Sequence, residues 1–300
     1  MRRYVSVTLT TSLLRPSAAR RAFLASTVAA VALMGSLPAH ADFVASVDAT
    51  TPLAFFPLQT ANGSSTVNGY TSTDENGAAI AASNGGPQAN AISLNGVNNG
   101  TPQYVATSLS GGINGSGSTM AWVNLASLNG GATEYIAGES QNGNDFDLQF
   151  TGNSSTLENL CFYSDSGSST CAALSVSDLL NKWNMVTATY NSTTGEQDVY
   201  LDGTLVATND DGAAGSKNSQ FTIGYSTVFS DRDLNGLISD VAVWNYQLSP
   251  SQVAGIYDSS TATPTGLPEP GSLSIFGAGI LALGWAWRRN WTRGKPTASV

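Results

Sequence analysis

Three hundred residues suffice for one large domain or two small ones, and 12 basic against 21 acidic residues give a formal net charge of −9, which argues against a nucleic-acid binder. Charged residues make up only 11% of the chain while Gly reaches 31, the turn-dense usage of an all-β extracellular protein rather than of a helical or disordered one. One histidine, His40, and two cysteines exclude most catalytic triads, Cys/His nucleophile pairs and zinc sites.

Residues 1–41 carry Arg2, Arg3, Arg15, Arg20 and Arg21, then an apolar stretch over 22–37, then Ala39-His40-Ala41, a small-x-small pattern. This order predicts a secretory signal peptide cut after Ala41, with a buried core helix as the alternative. Residues 42–260 form the body, a length suited to a single β-sandwich. Strands are expected at 53–58, 91–94, 119–125, 134–137, 146–150, 161–164, 183–190, 197–201, 204–208, 220–223 and 237–244, between Gly/Asn/Ser/Thr clusters. Asp202-Gly203 supplies two residues tolerant of positive φ and so predicts a tight hairpin between the strands on either side. Over 184–190 the alternation puts Val186, Ala188 and Tyr190 on one face, for the core, and Met185, Thr187 and Thr189 on the other, for solvent or ligand.

One helix is expected, opened by Ser249-Pro250-Ser251-Gln252 as a capping box with proline at its first position, and carrying Val253, Ile256 and Tyr257. It runs to Asp258 before a Ser/Thr-rich tether that ends with the linker 261–266. At the far end, Pro268-Glu269-Pro270 precedes an apolar helix over 273–287, then Arg288-Arg289 and a basic tail over 292–300. Fifteen helical residues cover about 22 Å, short of the roughly 30 Å of bilayer hydrocarbon, and the basic cluster stays cytoplasmic. Between these ends the body keeps three basic residues, Lys182, Lys217 and Arg232, against 20 acidic ones, a net of −17. Anionic lipid and nucleic acid are poor partners for such a surface, while a divalent cation or a neutral glycan suits it.

Three resemblances follow from these motifs. Arg20-Arg21-Ala22-Phe23-Leu24 resembles a twin-arginine export motif, with ordinary export of the unfolded chain as the alternative. Pro268-Glu269-Pro270, an apolar helix and Arg288-Arg289 in that order resemble the PEP-CTERM sorting signal of Gram-negative bacteria, over residues 267–291. That resemblance implies export across the inner membrane, a transient membrane anchor, cleavage by an exosortase-type protease and delivery to the cell surface or extracellular matrix; a plain membrane anchor is the alternative. In the body, Leu53 to Leu58, Ala91 to Gly96, Met120-Ala121-Trp122-Val123, Lys182 to Tyr190, Val199 to Gly203, Phe221 to Gly224 and Asn235 to Asn245, followed by the helix at Ser249, resemble in order the LamG-like domains of the concanavalin A-like superfamily. The resemblance implies two antiparallel sheets packed as a jelly-roll sandwich, binding of sugars or proteins, and often a calcium ion at the rim.

Asp231-Arg232-Asp233-Leu234-Asn235-Gly236 matches the start of a calcium loop, in which alternate oxygens converge on the ion. Its twelfth position is Ala242, which supplies no carboxylate, so a solvated acidic loop is the competing expectation. Asp240, Asp145 and Asp147 complete the candidate metal ligands. Cys161 and Cys171, in an exported chain, predict a structural disulfide. Tyr200 and Tyr225 are the candidates for stacking against a sugar ring, whereas Trp122, Trp183 and Trp244 have the apolar neighbours of core residues. No Glu-x-Asp-x-x-Glu pattern offers the paired carboxylates of a glycan hydrolase, so no catalytic residue is assigned. The expectation is a non-catalytic surface module that binds polysaccharide or a surface protein; a structural matrix protein without a ligand, and a hydrolase, are the alternatives.

Overall fold

The computed structural model describes residues 40–261 except 97–99, 114, 129–132, 141–145, 153–155, 166–167 and 211–218. Ala39, Asp145, the expected linker beyond Thr261 and the sorting residues Pro268, Glu269, Pro270, Arg288 and Arg289 lie outside the described residues; Ala41 falls in a helix. Two antiparallel sheets form a sandwich. Sheet A runs β13 (Thr204–Asn209), β12 (Gln197–Leu201), β11 (Trp183–Tyr190), β6 (Gly117–Leu125), β15 (Asn235–Trp244), β4 (Asn90–Asn95) and β3 (Ala79–Ala82), with β1 (Ala54–Phe56) also paired to β15. Sheet B runs β10 (Ser168–Ser175), β9 (Leu157–Asp165), β8 (Phe146–Gly152), β7 (Thr133–Glu139), β14 (Gln220–Ile223), β5 (Tyr104–Ser110) and β2 (Ser72–Glu75). Three helices complete the described residues: α1 (His40–Ala49), the short α2 (Val176–Leu179) and α3 (Pro250–Thr261).

The inner core follows the period-two rule of strands. Ala121, Val123, Val186, Ala188, Tyr190, Val199, Ile238, Val241 and Val243 of sheet A meet Val105, Ile136, Phe146, Leu148, Phe150, Leu160, Phe162, Phe221 and Ile223 of sheet B. Phe146 and Phe162 pack edge to face with centroids 5.0 Å apart. The Asp202-Gly203 hairpin forms as expected, with φ of 49° and 75°. Asp202 also fastens it: Oδ1 accepts from the Met185 amide at 2.8 Å. A side chain on Gly203 would place its Cβ 2.9 Å from the Cβ of Tyr257, so α3 rests directly on this turn.

The outer face of β11 departs from expectation. Met185, Thr187 and Thr189 are as buried as the inner residues. A second apolar cluster lies on this side of sheet A, where Phe43 and Val47 of α1 and Val253 and Ile256 of α3 cover Phe55, Met120, Trp122, Met185, Tyr200, Ala242 and Trp244. Phe43 meets Phe55 and Trp122 edge-on, and Tyr257 stacks on Trp122 with centroids 5.9 Å apart. Helix α1, not expected from the sequence, places Phe43 and Val47 one turn apart and hence on one face. At the start of α3 the capping box closes: the Ser249 amide donates to Gln252 Oε1 at 2.9 Å, and the Gln252 amide to Ser249 Oγ at 3.3 Å. The helix continues past Asp258 to Thr261, and there the Ser259, Ser260 and Thr261 hydroxyls donate to carbonyls three residues back.

Candidate functional site

The connection from β14 to β15 crosses from one sheet to the other and carries three of the candidate residues, Tyr225, Asp231 and Asp233. Its stem is a short ladder: Tyr225 pairs with Asp233, the Leu234 amide donates to the Gly224 carbonyl at 3.0 Å, and the Ser226 amide to the Arg232 carbonyl at 3.4 Å. Ser226 Oγ accepts from the Val228 and Phe229 amides, turning the tip. Arg232 lays its guanidinium 3.7 Å from the centre of the Phe229 ring and donates Nη1–H to Gln149 Oε1 at 3.1 Å. Gln149 stands on the outer face of β8, in line with Tyr135 of β7, so Arg232 fastens the loop to the outer face of sheet B.

Tyr225 is half-buried, and its ring lies 5.4 Å from that of Tyr104 on β5, inclined at 48°. Burial raises the Tyr225 phenol above its usual range, with Asp233, Tyr104 and Asp231 adding to the shift. Tyr104 is raised likewise, by burial and then by Glu75. Asp231 is exposed, whereas Asp233 is buried and its carboxyl is pushed up to about 6, first by burial and then by the charge of Asp231. The sequence reading overlooked Tyr104 because it overlooked β5; the alternation in Tyr104-Val105-Ala106-Thr107-Ser108-Leu109 was the available signal.

The other expected metal ligands are elsewhere. Asn235 turns its Nδ2–H to Ser127 Oγ at 2.6 Å. Asp147 accepts from the Ser140 hydroxyl at 3.0 Å, and that hydroxyl lies 3.3 Å from Tyr135. Asp240 occupies a bulge of β15 with φ of 54°, wholly buried, and its Oδ1 accepts from Gln88. Among the described residues no three Asp, Glu, His or Cys side chains gather where a metal ion could be held. Asp240 and Asp147 therefore do not join Asp231 and Asp233: the β14–β15 connection ends at Asn235, and Asp240 and Asp147 lie within β15 and β8.

Tyr200 is a second correction. It is 1% exposed, in the cluster beneath α1 and α3, with its hydroxyl donating to Asp198 Oδ2 at 3.1 Å, and cannot stack on a ligand. Trp122 and Trp244 lie in the same cluster, as core residues. Cys161 and Cys171 are bonded, directly opposite each other on β9 and β10 with Cα atoms 4.1 Å apart.

The fold places the chain in a class of proteins. Residues 99–254 match the family model of the concanavalin A-like lectin/glucanases superfamily, and the chain belongs to that superfamily. Residues 267–290 match the PEP-CTERM protein-sorting motif, which indicates export and a transient membrane anchor in Gram-negative bacteria. No curated protein matches the sequence. Among solved structures, the receptor-binding domain of botulinum neurotoxin C/D mosaic serotype aligns at 14% identity and TM-score 0.53, over 70% of this chain and 51% of that one. The binding domain of Paraclostridial Mosquitocidal Protein 1 aligns at 13% and 0.55, over 69% and 52%. The chain thus spans about half the length of these two toxin domains. Domain 4 of AbnA, a GH43 extracellular arabinanase from Geobacillus stearothermophilus solved in complex with arabinotriose, aligns at 16% and 0.50, over 69% and 98%. At such identities the likeness shows the fold alone.

Proposed function

We propose that the chain is a surface or matrix protein, processed near Pro268-Glu269-Pro270 by an exosortase-type protease, whose sandwich is a non-catalytic module binding polysaccharide. The observation that carries this reading is the Tyr104–Tyr225 pair, half-exposed on the face of sheet B that the described helices leave open. Two inclined rings offer apolar area for the C–H face of a sugar, and the exposed Asp231 stands near them for its hydroxyls. A domain of the same fold holding arabinotriose supports the ligand class. The burial of Asp240 supports a non-catalytic role, since it is closed off from any glycosidic oxygen.

The test is a glycan array on the full chain in a detergent without sugar headgroups, comparing wild type with Tyr225→Ala and Tyr104→Ala. Loss of about tenfold or more in affinity in both variants is expected, since buried aromatic anchors carry a large share of binding energy. Wild-type binding to no glycan, or release of reducing sugar that stops in Asp233→Asn, contradicts the reading.

A further inference from the structure

A cleft of about 420 Å³ opens on the outer face of sheet A, beyond the helix-covered cluster. Its floor is one row across the sheet. Ser93, Leu237 and Asn124 are direct partners on β4, β15 and β6, and the row continues to Trp183 on β11. Direct partners share a face, and the next residues, Ile238 and Val123, point the other way into the core. Asn84, Asn181 and Asn235 form the rim. Gly236 completes the wall, and any side chain there would set a Cβ 2.2 Å from the Asn124 carbonyl oxygen.

Two features of this cleft point to a ligand. No charged side chain lines it, in a body of net charge −17. Its carboxamides are also unspent: Asn235 donates to Ser127, but the side chains of Asn84, Asn124 and Asn181 make no hydrogen bond with the described residues. Asparagine is disfavoured within strands, and a half-buried amide without a partner costs stability. Asn124 carries the strand penalty, and its amide opens into a cleft of small-molecule size. Beside it Trp183 is fixed, its Nε1–H donated to the Ser83 carbonyl at 2.7 Å, and its ring is half-exposed.

We propose that this cleft is a second binding site, for a neutral sugar unit of a polysaccharide chain. Each carboxamide brings two N–H donors and an acceptor oxygen, which match hydroxyl groups that both donate and accept. The missing countercharge disfavours an ionic ligand, and Trp183 adds an apolar flank. The proposal rests on the polysaccharide-binding reading above and extends it. Tyr104 and Tyr225 face outward from sheet B and the cleft faces outward from sheet A, so one molecule engages two glycan segments.

The experiment is titration calorimetry of the full chain, in a detergent without sugar headgroups, with arabinotriose, xylotetraose, cellotetraose and mannotetraose, and with trigalacturonate as the acidic control. Asn124→Asp adds a charge without changing shape; Asn84→Gly and Asn181→Gly remove rim amides at positions whose φ of 49° and 55° glycine tolerates. Circular dichroism confirms that each variant is folded. The expected result is binding of at least one neutral oligosaccharide, a loss of tenfold or more in Asn124→Asp and in the double glycine variant, and a remaining site in Tyr225→Ala. Neutral binding that is unchanged in the asparagine variants but lost in Tyr225→Ala overturns the cleft and leaves the first reading intact. Failure of every ligand to bind wild type overturns both.

Discussion

The outer faces of the two sheets are covered in different ways, although the centre of each is buried. On sheet A, α1 and α3 seal Trp122, Trp244, Met185 and Tyr200 into a second core; on sheet B, the β14–β15 loop is tied down by Arg232 and leaves Tyr225 and Tyr104 partly open. Tyr200 and Tyr225 are the same residue type in similar turn-rich surroundings, yet one is structural and the other is available. What separates them is where the helices land. The sequence holds a sign of this: Met120-Ala121-Trp122-Val123, Met185-Val186 and Val241-Ala242-Val243-Trp244 are apolar at successive positions, which in a strand means burial on both faces.

The largest effect that breaks this comparison is expected from Tyr200→Ala beside Tyr225→Ala. Truncating a buried aromatic in a packed cluster costs about 3–5 kcal/mol, while the half-exposed Tyr225 costs within about 1 kcal/mol. Urea unfolding midpoints check it, and equal losses would erase the distinction. Next, replacing Cys161 and Cys171 together by Ser removes a cross-link with a sequence separation of 10, expected to cost roughly 3 kcal/mol in the chain-entropy picture. The loss is centred on β9 and β10, and β10 meets sheet A through hydrogen bonds to β12 and β13, so the signals of Trp122 and Trp244 should change mainly with global unfolding.

A smaller effect concerns pH. Burial pushes the Asp240 carboxyl up to about 7, despite its hydrogen bond from Gln88. The folded chain therefore holds this proton more tightly than the unfolded one, so the stabilisation is complete below about pH 4 and lost as pH rises through about 7. Glu158, raised to about 7 by burial, and Asp233, raised to about 6, act in the same direction. Tm should fall between pH 5 and 8 in wild type. Asp240→Asn keeps an acceptor for Gln88 and tolerates the positive φ, so it should flatten the slope; an unchanged slope contradicts the assignment. Smallest, Ser249→Ala loosens the first turn of α3 by about 1 kcal/mol, read as a Tm shift of a few degrees.

Much of this architecture was legible because local chemistry dictates it. Asp202-Gly203 requires positive φ, Ser249 and Gln252 cap each other, and alternation marks β6, β11 and β15. What escaped was set by distance in the chain. Strand β2 is a polar edge segment, β3 is a short run of small apolar residues without alternation, and β10 alternates small residues, Ser168 to Ser175, too weakly to stand out. Helix α1 begins across the expected signal-peptide boundary and is fixed by what Phe43 and Val47 meet on sheet A. The candidate site shows the same division. Asp231, Arg232 and Asp233 are adjacent in sequence and remain together, but Tyr104, Gln149 and the asparagine cleft are assembled from strands far apart in the chain. Alternate-oxygen spacing near Asp231 resembles a calcium loop, but only the fold shows that no third carboxylate joins Asp231 and Asp233 among the described residues.

The central claim, a polysaccharide-binding module with its aromatic contact on sheet B, is tested most directly by the affinity of wild type, Tyr225→Ala and Tyr200→Phe for one array-identified glycan. The account predicts a loss of about tenfold or more in Tyr225→Ala and none in Tyr200→Phe, whose hydroxyl is buried and bonded to Asp198. Wild-type affinity and stoichiometry retained in full in Tyr225→Ala, or a loss confined to Tyr200→Phe, would contradict it.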